Sequence, residues 1–223
     1  MLFRSVPVLG GAYEIDQFDD AHAHYLVLAD RDGGHLGSAR LLPTTRPHIL
    51  DSFYPELCEA APPSGPDIFE VTRFCLDRSL SARERRGVRD TLVTALADHA
   101  LAHGIARYSA IAEMGWLQQI LAFGWRCCPL GLPVTIGGKM LGALAIEIEP
   151  DTQRKLAAAG DDPEIGRQGL GLEPTLFQVL CPQEVRVLLF CARDATLTGA
   201  RRKEQHGQQR QEAEEAHGRR ERD

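Results

Sequence analysis

The alternation of apolar and polar positions divides the chain into several short extended runs and a few helical ones. His24–Ala29 reads as a strand, 30–35 (DRDGGH) as a hairpin turn from its Asp and Gly content, and 36–42 as the returning strand that carries Arg40. Residues 43–57 and 60–67 read as surface connections rich in Pro, Thr and Gly. A third strand spans 68–77. Alternation along it places Glu70, Thr72, Phe74 and Leu76 on one face, and Val71, Arg73 and Cys75 on the other. Val88, Leu92, Leu96 and Ala100 recur at helical spacing and predict a helix over Ala82–His103, capped by Ser79 or Ser81 and ended by Gly104. Beyond it the pattern predicts a strand at 105–112, a helix at 113–123 stopped by Gly124, and a short strand at 125–130. A turn at Gly137-Gly138 then leads into a strand over 139–149, followed by a helix over 151–159 and a further helix or strand at 183–193. This order argues for one α/β (α+β) domain with a mixed sheet covered by helices. The domain is placed at 16–195, after an irregular start over 1–15. A tail over 196–223 is expected to be disordered, since from residue 201 onward it carries 7 Lys or Arg and 6 Asp or Glu without an aliphatic run.

Composition narrows the class. With 43% hydrophobic residues, 25% charged residues and a net charge of −6, the chain reads as soluble and globular. No apolar run approaches the length of a membrane span, and the first residues lack a convincing signal-peptide pattern. The acidic balance argues against nucleic acid as a partner. Cys58, Cys75, Cys127, Cys128, Cys181 and Cys191 form no C-x-x-C pair, and several lie in apolar runs, which points to a reducing cytoplasm.

Two groups of residues carry candidate chemistry. Glu70 stands in an apolar strand, where a carboxylate is costly unless paired or used. It is either a structural partner of Arg73 or another arginine, or a general base. Arg83, Arg85, Arg86 and Arg89, with Gly87, make a basic helix start that suits a phosphate or an acidic protein; the alternative is a solvated helix face. The run R-R-G-V-R loosely resembles the pyrophosphate loop of GCN5-type acyltransferases, with Arg89 where a second small residue would stand. His99 and His103 have helical i, i+4 spacing, but no third ligand and no H-E-x-x-H pattern accompanies them, so no metal is expected. Cys127 and Cys128 would point to opposite faces of a strand.

Taken together, 14-EIDQFD-19, 37-GSARLLPTT-45, 50-LDSFYPEL-57, 69-FEVTRF-74 and 124-GWRCCPLGLP-133 resemble the LuxI-type acyl-homoserine-lactone synthases, over about residues 14–150. The resemblance implies a GCN5-acetyltransferase-like fold with helices on both faces of the sheet and a V-shaped split between central strands. It implies acyl transfer from an acylated carrier protein or acyl-CoA to the amine of S-adenosylmethionine, then lactonisation with release of methylthioadenosine. S-adenosylmethionine is a substrate here, and no cofactor is implied. Glu70 matches the family's carboxylate and is expected to be the base. Asp16, Asp19, Arg40 and Arg73 match its charged cluster, expected to hold S-adenosylmethionine and fix Glu70, with Phe53 as the aromatic beside that pocket. Thr72, Phe74 and Leu76 are expected to line the acyl tunnel, and Ser109 to meet an oxygen on acyl C3. The patch of Arg83, Arg85, Arg86, Gly87 and Arg89 is expected to dock the acidic carrier protein and admit its pantetheine arm. The family's N-terminal Arg, Phe and Trp have no match: Arg4 is followed four residues on by Val8, and the first Trp is Trp116. A pocket missing part of its wall, with weak activity or poor solubility, is the corresponding expectation. Two other readings stay open: a GCN5-like N-acyltransferase using acyl-CoA, and a non-catalytic form that binds carrier protein.

Overall fold

The computed structural model describes residues 15–30 and 32–159, together with the backbone of a strand at Thr175–Leu180. In chain order the elements are β1 (His24–Ala29), β2 (His35–Pro43), α1 (Ile49–Phe53), a 3-10 turn (Pro55–Leu57), β3 (Ile68–Leu76), α2 (Ala82–His103), β4 (Arg107–Glu113), α3 (Met114–Ala122), β5 (Arg126–Pro129), β6 (Val134–Ile136), β7 (Lys139–Glu147), α4 (Thr152–Ala158) and β8 (Thr175–Leu180). The sheet runs β5-β7-β4-β3-β2-β1-β8, with β6 paired to β7. The β3–β4 pair is parallel, as a helical crossover through α2 requires, and the other pairs are antiparallel.

Apolar periodicity explains the layering. One face of the sheet buries Leu92, Val93, Leu96 and Ala100 of α2 with Leu117 and Ile120 of α3 and Leu156 of α4. The other face packs Tyr25, Leu42, Leu141 and Ala143 against Ile49, Leu50 and Leu57 of the short segment between β2 and β3. Ser81 caps α2 reciprocally: its hydroxyl accepts from the Glu84 N–H (3.3 Å), and the Glu84 carboxylate accepts from the Ser81 N–H (2.7 Å). Gly104, at φ +68°, closes the other end. Ser79 bonds Asp77 instead.

The central pair is short. β3 and β4 match over Ile68–Val71 and Arg107–Ala110, yet β3 continues to Leu76 and β4 to Glu113. The strands therefore part after Val71, which gives the expected split. Arg73 follows at φ 48°, a left-handed conformation unusual for a side chain of its size. The β2–β3 register also shifts in this region, between Ser38 and Arg40. This break corrects the expected alternation. Phe69, Val71 and Phe74 pack on the α2 face, whereas Glu70 bonds α1 on the other face. Leu76 packs with Val88 of α2. Phe74 and Leu76 thus do not share Glu70's face, because the turn at Arg73 inserts a half-step in the pleat.

Other differences are local. The stretch 43–57 is not all loop: it holds α1 and a 3-10 turn, organised around a buried carboxylate from β3. β6 pairs across the Gly137-Gly138 turn with β7, and β8, absent from the sequence reading, adds to β1. The expected element at 183–193, the start over 1–14 and the tail lie outside the described residues. Among the described residues no helix is long and apolar enough to cross a membrane.

Gly124 tests the packing of α3 on α4. It sits at φ +89°, and a Cβ there would lie 2.7 Å from the Lys155 carbonyl oxygen and 2.8 Å from the Ala159 Cβ. Gly124→Ala is expected to cost about 1–3 kcal/mol, read as a melting temperature several degrees lower. Gly115→Ala, with open space around its Cβ, should leave the melting temperature unchanged or raised.

Candidate active site

A buried guanidinium lies at the centre of the site. Arg40, on β2, has no solvent exposure. Its Nη1 donates to Asp16 Oδ1 (2.8 Å) and Asp19 Oδ1 (2.6 Å), its Nη2 to Asp16 Oδ2 (3.1 Å), and its Nε to Thr72 Oγ1 (2.9 Å). Arg73 reaches the same carboxylate, with Nη2 2.9 Å from Asp16 Oδ2 and 3.5 Å from Asp19 Oδ2. The loop carrying the two aspartates is itself tied: the Asp16 N–H donates to Asp19 Oδ2 (2.7 Å), the Phe18 N–H to Asp16 Oδ1 (2.9 Å), and the Tyr25 hydroxyl to Asp19. Burial works against the Asp16 charge, but the two arginines outweigh it and hold the carboxyl below its usual range. Burial likewise opposes the charge of Arg40, and its carboxylate partners more than restore it. The four charged residues expected to cluster are therefore brought together.

Glu70 occupies a separate position. It is fully buried and does not pair with Arg73. Its Oε2 accepts from the Ile49 N–H (2.7 Å) and its Oε1 from the Leu50 N–H (3.1 Å), so β3 anchors the first turn of α1. Burial pushes its carboxyl up to about 8, against the opposing pull of those two N–H groups and of Arg40. A carboxyl that ionises near neutral pH is suited to proton transfer. His48, the residue before α1, is also buried, and its ring bonds the Arg46 carbonyl through Nδ1 (2.9 Å). Phe53 ends α1, half-exposed, with its ring edge-on to Phe18 at 5.8 Å.

A cavity of about 810 Å³ opens where β3 and β4 part. Thr72, Arg73, Phe74 and Leu76 line it from β3, Val93 and Leu96 from α2, and Trp116 and Ile120 from α3, with Phe123 and Trp125 after it. Arg78, Arg85 and Glu113 supply charged groups. Arg73 belongs to both the cavity and the carboxylate cluster, so it joins them. Thr72, Phe74 and Leu76 all line the cavity, and the turn at Arg73, not simple alternation, brings Phe74 and Leu76 there.

Ser109 is a correction. It is fully buried beside Glu70 in the strand register and is not part of the cavity lining, although Ile111 and Glu113 further along β4 are, and its hydroxyl meets no partner among the described residues. A contact with acyl C3 is not what this placement offers. Gly87 is a second correction: it lies inside α2, past the N–H groups that a helix start leaves open, so it cannot present its backbone to a pyrophosphate. Arg89 is engaged by Asp90 and lies 5.0 Å over the Phe123 ring. Arg83, Arg85 and Arg86 remain exposed, with Arg85 also donating to the Arg78 and Leu80 carbonyls. His99 and His103 stack at 4.1 Å, and His103 bonds the His99 carbonyl, as an ordinary helix pair does. Trp116, Phe123 and Trp125 escaped the sequence reading as site residues. Their spacing along α3 and its exit was the available signal, but core packing has the same signature.

A split central sheet with a buried carboxylate–arginine cluster beside a largely apolar cavity fits an acyltransferase of the acetyltransferase-like class. Comparison with known proteins makes the assignment specific. The model of the autoinducer synthase family matches residues 5–156. An acyl-homoserine-lactone synthase of Ralstonia nicotianae is 33% identical over 161 residues, covering 70% of this chain and 78% of that protein. One of Acinetobacter nosocomialis is 33% identical over 142 residues, covering 60% and 78%. Among solved structures, the CoA-dependent acyl-homoserine lactone synthase MesI superposes with a TM-score of 0.60 at 29% identity, covering 75% of this chain and 80% of that one. BjaI with SAM and isopentyl-CoA gives 0.59 at 28%, covering 74% and 72%. The chain belongs to the autoinducer synthase family.

Arg40 tests the electrostatic core. Arg40→Met would leave Asp16 and Asp19 buried with Arg73 as their remaining arginine among the described residues. The expected loss is about 3–5 kcal/mol, read as a lower urea midpoint. Arg40→Lys, which keeps the charge but not the fork, should fall between Arg40→Met and the wild type.

Proposed function

We propose that this protein is an acyl-homoserine-lactone synthase. The amine nitrogen of S-adenosylmethionine attacks the carbonyl carbon of an acyl thioester, the C–S bond breaks, the thiol leaves and an amide forms. The methionine carboxylate oxygen then attacks Cγ, breaking its bond to the sulfonium sulfur. This closes the lactone and releases methylthioadenosine. The observation that carries the reading is Arg73, which links the Asp16–Asp19–Arg40 cluster to the cavity in the split. In this reading the cluster holds the polar end of S-adenosylmethionine, with Phe18 and Phe53 beside it, and the acyl chain enters the apolar cavity.

Glu70 is proposed as the proton acceptor for the ammonium group. It does not line the cavity, so it works through a bridging water. The thioester donor is acyl-CoA or acylated carrier protein. Structures of the relatives MesI and BjaI are described as CoA-dependent, and the exposed Arg83, Arg85 and Arg86 suit either an anionic pantetheine carrier or an acidic protein.

The test is mass spectrometry of products from S-adenosylmethionine with acyl-CoAs and acylated carrier proteins. A homoserine lactone with an equal amount of methylthioadenosine is the expected result. Acyl-CoA turnover onto another amine without S-adenosylmethionine would instead support a GCN5-like N-acyltransferase. Binding of carrier protein without product would support the non-catalytic reading. If the basic patch docks a carrier protein, its KM should rise with salt, while the KM for S-adenosylmethionine stays nearly constant.

A further inference from the structure

The cavity is bounded along one side by four aromatic rings in series. Phe74 and Trp116 have centroids 5.2 Å apart, Trp116 and Phe123 5.8 Å, and Phe123 and Trp125 5.8 Å. The last two rings are fixed. Trp125 is buried and donates its indole N–H to the Ile120 carbonyl (2.9 Å), and Phe123 is buried beneath the Arg89 guanidinium. Trp116 is held differently. It is half-exposed, stands between Phe74 and Phe123, and its indole makes no hydrogen bond to the described residues. Its attachment is ring packing alone, so it can be shortened without orphaning a polar group. The lining also carries the charged groups Arg73, Arg78, Arg85 and Glu113, whereas Trp116 packs on Phe74 and Phe123 and against the apolar cluster that includes Val93, Leu96 and Ile146.

We propose that Trp116 sets the length of acyl chain this enzyme accepts, its indole acting as the wall at which the chain must end. The proposal rests on the acyl-transfer reading above and adds a specificity residue to it. The acyl groups selected are those whose terminal carbons end at the ring face. Longer linear chains would have to displace the indole from between Phe74 and Phe123. Each methylene that finds apolar wall in place of water is worth about fourfold in binding, so removing the indole extends the favourable series by the carbons that fit its space.

Both tryptophans of the chain, Trp116 and Trp125, line this cavity. Intrinsic fluorescence therefore reports on its occupancy without any need for turnover. The experiment titrates acyl-CoAs from butanoyl to dodecanoyl into the full chain and into Trp116→Phe and Trp116→Ala, following Trp125 in the variants. Lactone formation is measured beside it with the same thioesters. The wild type should gain affinity with chain length and then lose it at a definite length. In Trp116→Ala that break should move to longer chains, with at least a tenfold gain for the first chain beyond the wild-type limit and a loss for the shortest. Trp116→Phe should lie between them. Unchanged length dependence in a folded Trp116→Ala would overturn the proposal, as would no length limit in the wild type. If the limit moves but no protein forms lactone, Trp116 keeps its role and the synthase reading fails. If lactone forms and the limit does not move, the reverse holds.

Discussion

The site depends on keeping one guanidinium dry. Arg40 is sealed in the sheet with two carboxylates and a threonine hydroxyl, and the loop before β1 folds around that charge. Burying a charge in this way is tolerable because each polar side-chain atom of Arg40, Asp16 and Asp19 has a close partner. The arrangement also fixes Arg73, which must leave the regular pleat to share Asp16. The local cost of a left-handed residue is of order 1–3 kcal/mol. In return the β3 ladder breaks where β3 and β4 separate, so the electrostatic cluster and the split are two consequences of one local geometry.

That geometry divides the split by chemistry. On one side of the sheet, Glu70 is sealed against α1 with its carboxyl raised by burial. On the other, the strands open onto aromatic and aliphatic side chains of α2 and α3. Arg73 joins that cavity to the Asp16–Asp19–Arg40 cluster. A reaction that joins a charged amino acid derivative to an apolar acyl chain needs such a boundary, with its polar partner held by fixed charges and its apolar partner kept from water.

Much of this was legible in the sequence, for identifiable reasons. The bounds of α2 were readable because Ser81, its apolar spacing and Gly104 are all local signals. The charged cluster followed from the pattern shared with LuxI-type synthases, and Asp16, Asp19, Arg40 and Arg73 do meet. What could not be read depends on contacts distant in sequence. α1 is five residues long and is organised by Glu70, twenty residues away. The positive φ at Arg73 has no signature in residue type, and missing it assigned Phe74 and Leu76 to the wrong face. Ser109 was expected at acyl C3 from its strand position in the family pattern, but the cavity begins further along β4, at Ala110 and Ile111, where the strands have parted.

The central claim is that buried Glu70 accepts the proton that frees the attacking amine. The most direct measurement is the pH dependence of the acyl-transfer step in single turnover, for the wild type and Glu70→Gln. A carboxyl accepts a proton once ionised, so the wild-type rate should climb as pH rises through about 8 and level off above it. The variant should be slower and lack that climb. If the variant keeps the same rise at the same pH, the titration belongs to the substrate amine, and Glu70 serves to hold α1 and not to move the proton.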